Sequence, residues 1–158
     1  MIVESKDEII VNLEKVKFTK KLEKKIIKKL KKRLWELAKE YCRLKHGNIC
    51  FTCGKKGLKG GNWHTGHFIP KKISSFFVDY YPLNLRPQCY NCNINLGGNG
   101  SYFYRNLLKE VGEIYINALF LENEDKVKPS MSNYIAYINM YKGIINEIKM
   151  SKKWVKNE

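Results

Sequence analysis

Several absences narrow this chain before any motif is considered. No apolar run is long enough to cross a bilayer as a helix, which takes about 20 residues. No secretory leader is read at the start, because Glu4, Asp7 and Glu8 stand where an apolar core is needed. Acidic residues are scarce: 15 Asp and Glu face 30 Lys and Arg, a net charge of +15. That balance points to a polyanion partner, most simply nucleic acid, over the blander reading of a generally basic protein. Cysteine is too uneven for a disulfide framework. Of five cysteines, four form two Cys-x-x-Cys pairs and Cys42 is left over, as a small apolar residue on a helix. This usage fits metal-bound thiolates in a reducing compartment, so a cytoplasmic location is expected. The glycines from Gly54 to Gly61 fit no phosphate loop, since the spacing is wrong and no helix start follows. No repeat exists beyond the two cysteine pairs.

A chain of 158 residues is expected to form a single domain, 1–158. We read an N-terminal arm at 1–16, a basic helix at 17–47, a zinc-bound core at 48–100 and a C-terminal helical part at 101–158. In the basic helix Thr19 is the candidate cap. Leu22, Ile26, Leu30, Leu34, Leu37, Tyr41 and Leu44 recur at three- and four-residue spacing. Its other faces carry Lys20, Lys21, Lys24, Lys25, Lys28, Lys29, Lys31, Lys32 and Arg33. Like charges at this spacing repel, and only Glu23, Glu36 and Glu40 relieve them. A solvated face is the plain explanation. Contact with DNA phosphates is the preferred one, because counterion release rewards such a row of cations. A membrane surface is the rival partner, disfavoured by the metal module that follows.

Residues 62–70 read as a strand ended by Pro70, and 71–83 as irregular, with the run Phe76 to Tyr81 mostly in the core. A helix is expected to start after Cys92 and break at Gly97 and Gly98. Residues 101–111 make an amphipathic helix with Tyr104, Leu107, Leu108 and Val111 on one side. A helical piece through Leu121, a polar loop from Glu122 to Pro129, and a last helix capped by Ser130 or Ser132 complete the chain.

The chemistry gathers between Cys50 and Asn99. Cys50, Cys53, Cys89 and Cys92 have the spacing of a closed, structural four-cysteine zinc site. A knuckle, a hairpin and a helix joined by zinc make a treble-clef ββα module. On its strand, His67 is a candidate general base that takes a proton from water. The charge that builds on a phosphodiester during attack needs a cation such as Mg2+. His64 and Gly66 share a face and His67 points away from them. Gly66 is expected to leave room for His64 to reach a metal, or for a phosphate to approach. Asn93 offers a carbonyl oxygen, and Asn84 is expected to tie the loop that fixes His67. The plainer alternatives are ordinary strand histidines, or His64 and His67 completing a metal site themselves.

Taken together, Cys50-x-x-Cys53, Gly66-His67, Asn84 and Cys89-x-x-Cys92-Asn93 resemble the HNH, or His-Me finger, endonucleases. More narrowly, Trp63, Gly66, His67, Asn84, Gln88, Gly98, Asn99, Tyr104, Arg105, Leu108 and Gly112 resemble the phage NinG/Rap recombination nucleases. The resemblance implies an α+β, mostly helical fold with a zinc-stabilised HNH core flanked by the basic helix and C-terminal helices. It implies a structure-specific endonuclease acting on branched DNA (Holliday junctions, D-loops, flaps) in phage recombination. Zinc is the implied structural cofactor and Mg2+ or Mn2+ the catalytic one. His67 takes the place of the base, and Asn93 that of the helix metal ligand. Two departures stand out: Gly66 replaces the usual ligand before the base, and His64 replaces an Asp. His64, Asn93 and Asn95, which falls where a later histidine often sits, are therefore the candidate catalytic-metal residues. An extra N-terminal zinc knuckle of some members is absent here, which puts substrate recognition on the basic helix. The candidate DNA contacts are Lys21, Lys24, Lys25, Lys28, Lys29, Lys31, Lys32, Arg33, Lys71, Lys72, Arg86 and Arg105. Expected partners are junction DNA, phage recombination proteins and a second copy of the chain, with no membrane. The alternative function is a non-catalytic zinc-stabilised module that binds DNA or RNA.

If the basic helix lies on DNA, replacing Lys24, Lys28 and Lys31 with Ala weakens binding and flattens its salt dependence. Each lost phosphate contact lowers the slope of log affinity against log salt by about one. An unchanged slope in a binding titration would make this helix a solvated face.

Overall fold

The computed structural model describes residues 19–124 and 126–154; the arm expected at 1–16 lies outside them. The first element is a helix, α1, Lys20–His46. Thr19 caps it: its side chain accepts a hydrogen bond from the Leu22 amide at 3.3 Å. Gly47, at φ 72°, ends it and returns its N–H to the Arg43 carbonyl. Leu34, Leu37, Ala38, Tyr41 and Cys42 are buried, so the apolar stripe is core only in its second half. Leu22, at the start of the stripe, is 43% exposed.

The sheet is a two-stranded antiparallel hairpin, β1 (His64–His67) and β2 (Leu85–Gln88). His64 pairs with Gln88, Thr65 with Pro87, Gly66 with Arg86 and His67 with Leu85. The strand expected over 62–70 is thus only its centre. A tight turn at Gly60–Asn62 takes the leading end, where the Asn62 side chain accepts from the Tyr90 amide. The stretch expected to be irregular contains a one-turn helix, α2, Phe76–Asp79. Ser75 caps it by accepting from the Val78 amide, a side chain that competes with extended backbone and favours a helix start.

After a π-helical turn at Asn91–Asn95 come α3 (Gly100–Val111), α4 (Glu113–Glu124) and α5 (Met131–Trp154). The face expected for α3 is inside at Leu107, with Leu108 and Val111 packed beside it, but Phe103 is buried there and Tyr104 is exposed. Phe103 and Leu107 point at Ile116 of α4, and two helices joined at Gly112 can satisfy only one shared seam. Ser130 is the cap of α5, in a reciprocal pair with Asn133.

The main core lies between α1 and α5. Leu34, Leu37, Tyr41, Tyr134, Ile138, Tyr141 and Ile145 pack there with Tyr80 and Leu85. This is where the hairpin and α2 are anchored, because the Tyr141 hydroxyl donates to the Tyr80 carbonyl at 2.6 Å in a dry interior. The fold is therefore mostly helical α+β around a small sheet and a cysteine cluster. No helix among the described residues is long and apolar enough to cross a membrane.

Tyr141→Phe keeps the ring and strips the Tyr80 carbonyl of its donor. Leaving a buried acceptor unpaired costs about 1–3 kcal/mol, which a urea midpoint would show as a clear drop. No drop would mean that this bond does not anchor α2.

Candidate functional site

Four sulfur atoms mark the site. Those of Cys50, Cys53, Cys89 and Cys92 all lie within 4.8 Å of one another. The first pair is set by a tight turn in which Gly54, at φ 74°, donates to the Cys50 carbonyl and Cys50 donates to Lys55. The second pair leads into the π-helical turn, where the Cys92 amide donates to the Cys89 sulfur at 3.4 Å. Zinc bonded to sulfur at about 2.3 Å holds tetrahedral sulfurs about 3.8 Å apart. The Cys53 and Cys89 sulfurs are 3.8 Å apart, too far for a disulfide and right for a shared ion. The thiols also disagree about charge. Burial would raise Cys50, but hydrogen bonds from Thr52 and nearby amides bring it down to about 6. Burial and the neighbouring thiols push Cys53 up to about 12. A cation would resolve that conflict and let all four act as thiolates. The residues present thus fit zinc. Cys42 stands apart, and burial pushes its thiol up to about 12.

The alternation of β1 sends its two histidines to opposite faces. On one face His64 meets Asn93: His64 Nδ1 lies 3.2 Å from Asn93 Nδ2, and Nε2 is 3.0 Å from the Gly61 carbonyl. Asn95 does not join them, because its amide donates to Asn91 on its own turn. Gly66 also serves a different purpose from the one expected. A Cβ there would lie 1.9 Å from Gln88 Oε1. The Gln88 side chain is fully buried and tied to Gly98 and Thr52, so it has nowhere to retreat. Gly66 therefore makes room for an internal glutamine, and not for a metal or a phosphate.

On the other face, His67 is enclosed. The Trp35 ring of α1 stacks on its imidazole at 5.5 Å and 11°. His67 Nε2 lies 3.2 Å from Asp79 Oδ1, an ion-pair distance whose alignment falls short of a hydrogen bond. The second Asp79 oxygen meets Lys71 Nζ at 3.2 Å, and the same ammonium sits 4.9 Å from the Trp35 ring centre. Burial would raise the Asp79 carboxyl, but His67 and Lys71 outweigh it and hold it below the usual carboxylate range. Among the described residues, none hydrogen-bonds to His67 Nδ1. Asp79 was missed in the sequence; the sole acid inside an aromatic run, one turn after a serine cap, was its signal.

Asn84, fully buried, ties the strand exits together. Its Oδ1 accepts from the Ile69 amide at 2.7 Å, and its Nδ2 donates to the carbonyls of Val78 and Ile69. Because Val78 precedes Asp79 and Ile69 follows His67, this one side chain sets the spacing of the pair.

Among the candidate DNA contacts, Lys21, Lys24, Lys25, Lys28, Lys29, Lys31, Lys32 and Arg33 all project into solvent. Among the described residues none of them pairs with an acid. Lys71, Lys72 and Arg105 are exposed as well. Arg86 is a correction. It is 2% exposed, its guanidinium is paired with Glu110 through two nitrogens, and it donates to the carbonyls of Pro82, Leu83 and Leu85. Its donors are spent inside the fold, so it cannot reach a phosphate.

The family model described as the bacteriophage Lambda NinG protein matches residues 4–152. No curated protein and no solved structure matches the chain.

Purified protein is expected to hold a single zinc ion per chain at the four sulfurs. Cys89→Ser should release it and lower the unfolding temperature, as should a strong chelator. Elemental analysis and thermal unfolding check both. A metal-free protein that unfolds at the same temperature would show that these thiols pack without a cation.

Proposed function

As the chain belongs to the bacteriophage Lambda NinG protein family, we propose that it is an endonuclease for branched DNA with an HNH-type treble-clef core. Its substrates would be junctions, D-loops and flaps formed in phage recombination within the host cytoplasm. One observation carries the reading: His67, an imidazole whose Nε2 lies 3.2 Å from a buried carboxylate. A carboxylate beside one ring nitrogen fixes the ring's orientation and steadies the imidazolium formed on proton uptake. Nδ1 is then the atom that takes the proton from attacking water. Trp35 holds the ring flat, Asn84 sets its distance from Asp79, and the lysines of α1 bind phosphates.

The Mg2+ or Mn2+ implied by the resemblance has no ready site among the described residues. Magnesium favours carboxylate oxygens in an octahedron. His64 and Asn93 offer neutral groups already bonded to each other, on the face opposite His67, and no carboxylate joins them among the described residues. The expected set of His64, Asn93 and Asn95 therefore does not fit that ion, and no step is assigned to it.

The enclosure of His67, 12% exposed in its side chain, favours a second reading. In that reading the chain is a zinc-stabilised nucleic-acid-binding protein, and the His67–Asp79 pair is a structural contact.

Cleavage of a four-way junction, a flap and plain duplex, each with Mg2+, Mn2+ or EDTA, separates the two. The nuclease reading expects cutting of the branched substrates in preference to plain duplex. His67→Ala should reduce it by roughly 10²- to 10⁴-fold with binding retained. Asp79→Asn should lower kcat with little change in KM. Binding without cutting under every metal would establish the second reading, and a competitive preference for RNA would sink the recombination role.

A further inference from the structure

An open cleft of about 500 Å³ lies between the segment that follows β1 and the helices α3 and α4. It is lined by Phe68, Pro70 and Ile73 after β1, by Ser101 and Tyr104 of α3 and by Phe120 of α4, and among the described residues no acidic side chain lines it. Phe68 stacks on Tyr104 with ring centres 6.2 Å apart and meets Phe120 edge-on at 5.7 Å. Tyr104 and Phe120 nevertheless stay 40% and 47% exposed. The rim is cationic. Lys72 is exposed between Pro70 and Ile73, and Lys126 donates to the Ile73 carbonyl.

We infer that this cleft takes an unpaired nucleobase of DNA, stacked on Tyr104 and Phe120, with the neighbouring phosphates on the cationic rim. Aromatic faces between cations are the physical requirement for holding a single strand without reading its sequence. A second copy of the chain would bring another +15 against this rim, whereas DNA brings the opposite charge. The inference rests on the DNA-binding reading above, but not on chemistry at His67. It supplies a means of preferring branched over continuous duplex, because a branch point offers bases that are already unstacked and so cost least to capture.

The test compares affinities of the full chain for a continuous duplex and for the same duplex with a short single-stranded gap carrying 2-aminopurine. We expect tighter binding of the gapped DNA and quenching of the 2-aminopurine emission. Tyr104→Ala should remove that preference, a loss of roughly tenfold for the gapped DNA from one base–aromatic stack, while duplex affinity holds. Tyr104→Trp should restore the preference, and circular dichroism should show both variants folded. An equal fall on both DNAs, or no change on either, would overturn the inference while leaving DNA binding intact. Dissociation of a dimer on Tyr104→Ala, seen by sedimentation, would assign the cleft to a second copy and also overturn it. Failure of the wild-type chain to bind any DNA would instead remove the DNA-binding reading, and this inference with it.

Discussion

Four thiols within 4.8 Å cannot all ionise without a cation among them, and the hairpin is built around that cluster, which could hold one. Each strand of the hairpin is four residues long, too short to be stable in water on its own. One cysteine pair precedes β1 and the other follows β2, so an ion joining them closes the hairpin at its open end. Chain entropy would otherwise oppose that closure. The π-helical turn depends on the same point, because it begins inside the second pair and places Asn93 beside His64.

Away from the sulfurs, the hairpin is held by polar groups that are unusual in a core. Asn84, Arg86 and Gln88 are almost wholly buried; Asn84 and Arg86 spend their hydrogen bonds on backbone and on Glu110, and the Gln88 amide nitrogen donates to Thr52 and Gly98 while its Oε1 finds no partner among the described residues. Such groups are costly to bury unpaired, so once satisfied they admit few alternative arrangements. Asn84 fixes the distance between the segment carrying His67 and the helix carrying Asp79. Arg86 joins β2 to Glu110 of α3. Gln88 fills the space that Gly66 leaves open. The strand is thus positioned by three side chains whose bonding leaves little freedom, and its histidines inherit that position.

How much of this was legible in the sequence follows from the range of each interaction. The cysteine pairs, the cap at Thr19 and the stripes of the long helices are local patterns, and they could be read directly. The capping of α5 by Ser130 is local too, and only the choice between two serines was open. What could not be read depends on long-range partners. Arg86 has the composition of a DNA contact, and only Glu110, far along the chain, turns it inward. Gly66 invites a metal or a phosphate until Gln88 is seen to occupy the space. Tyr104 belongs to the apolar register of α3 by spacing, yet the seam with Ile116 takes Phe103 in its place, beside the expected Leu107. Asp79 lies in a stretch whose aromatic content masks both its short helix and its single charge.

Trp35 links the two halves of the proposed function. Residues three and four apart on a helix are neighbours on its surface, so Lys31 and Lys32 share a face with Trp35, and Lys28 extends it by a further turn. Trp35 lies flat on His67, and Lys71 brings its charge within 4.9 Å of the centre of the Trp35 ring. The row of exposed cations therefore leads along α1 to the one imidazole that has a carboxylate behind it. A phosphate backbone seated on those lysines would approach the Trp35–His67 stack, and would not meet the His64–Asn93 pair on the far face. Under the proposed nuclease reading the site for chemistry would be the face shared with α1, and enclosure beneath Trp35 would be the state of His67 before DNA arrives. That places the demand for movement on one aromatic ring, which belongs to the same helix that would feel the DNA.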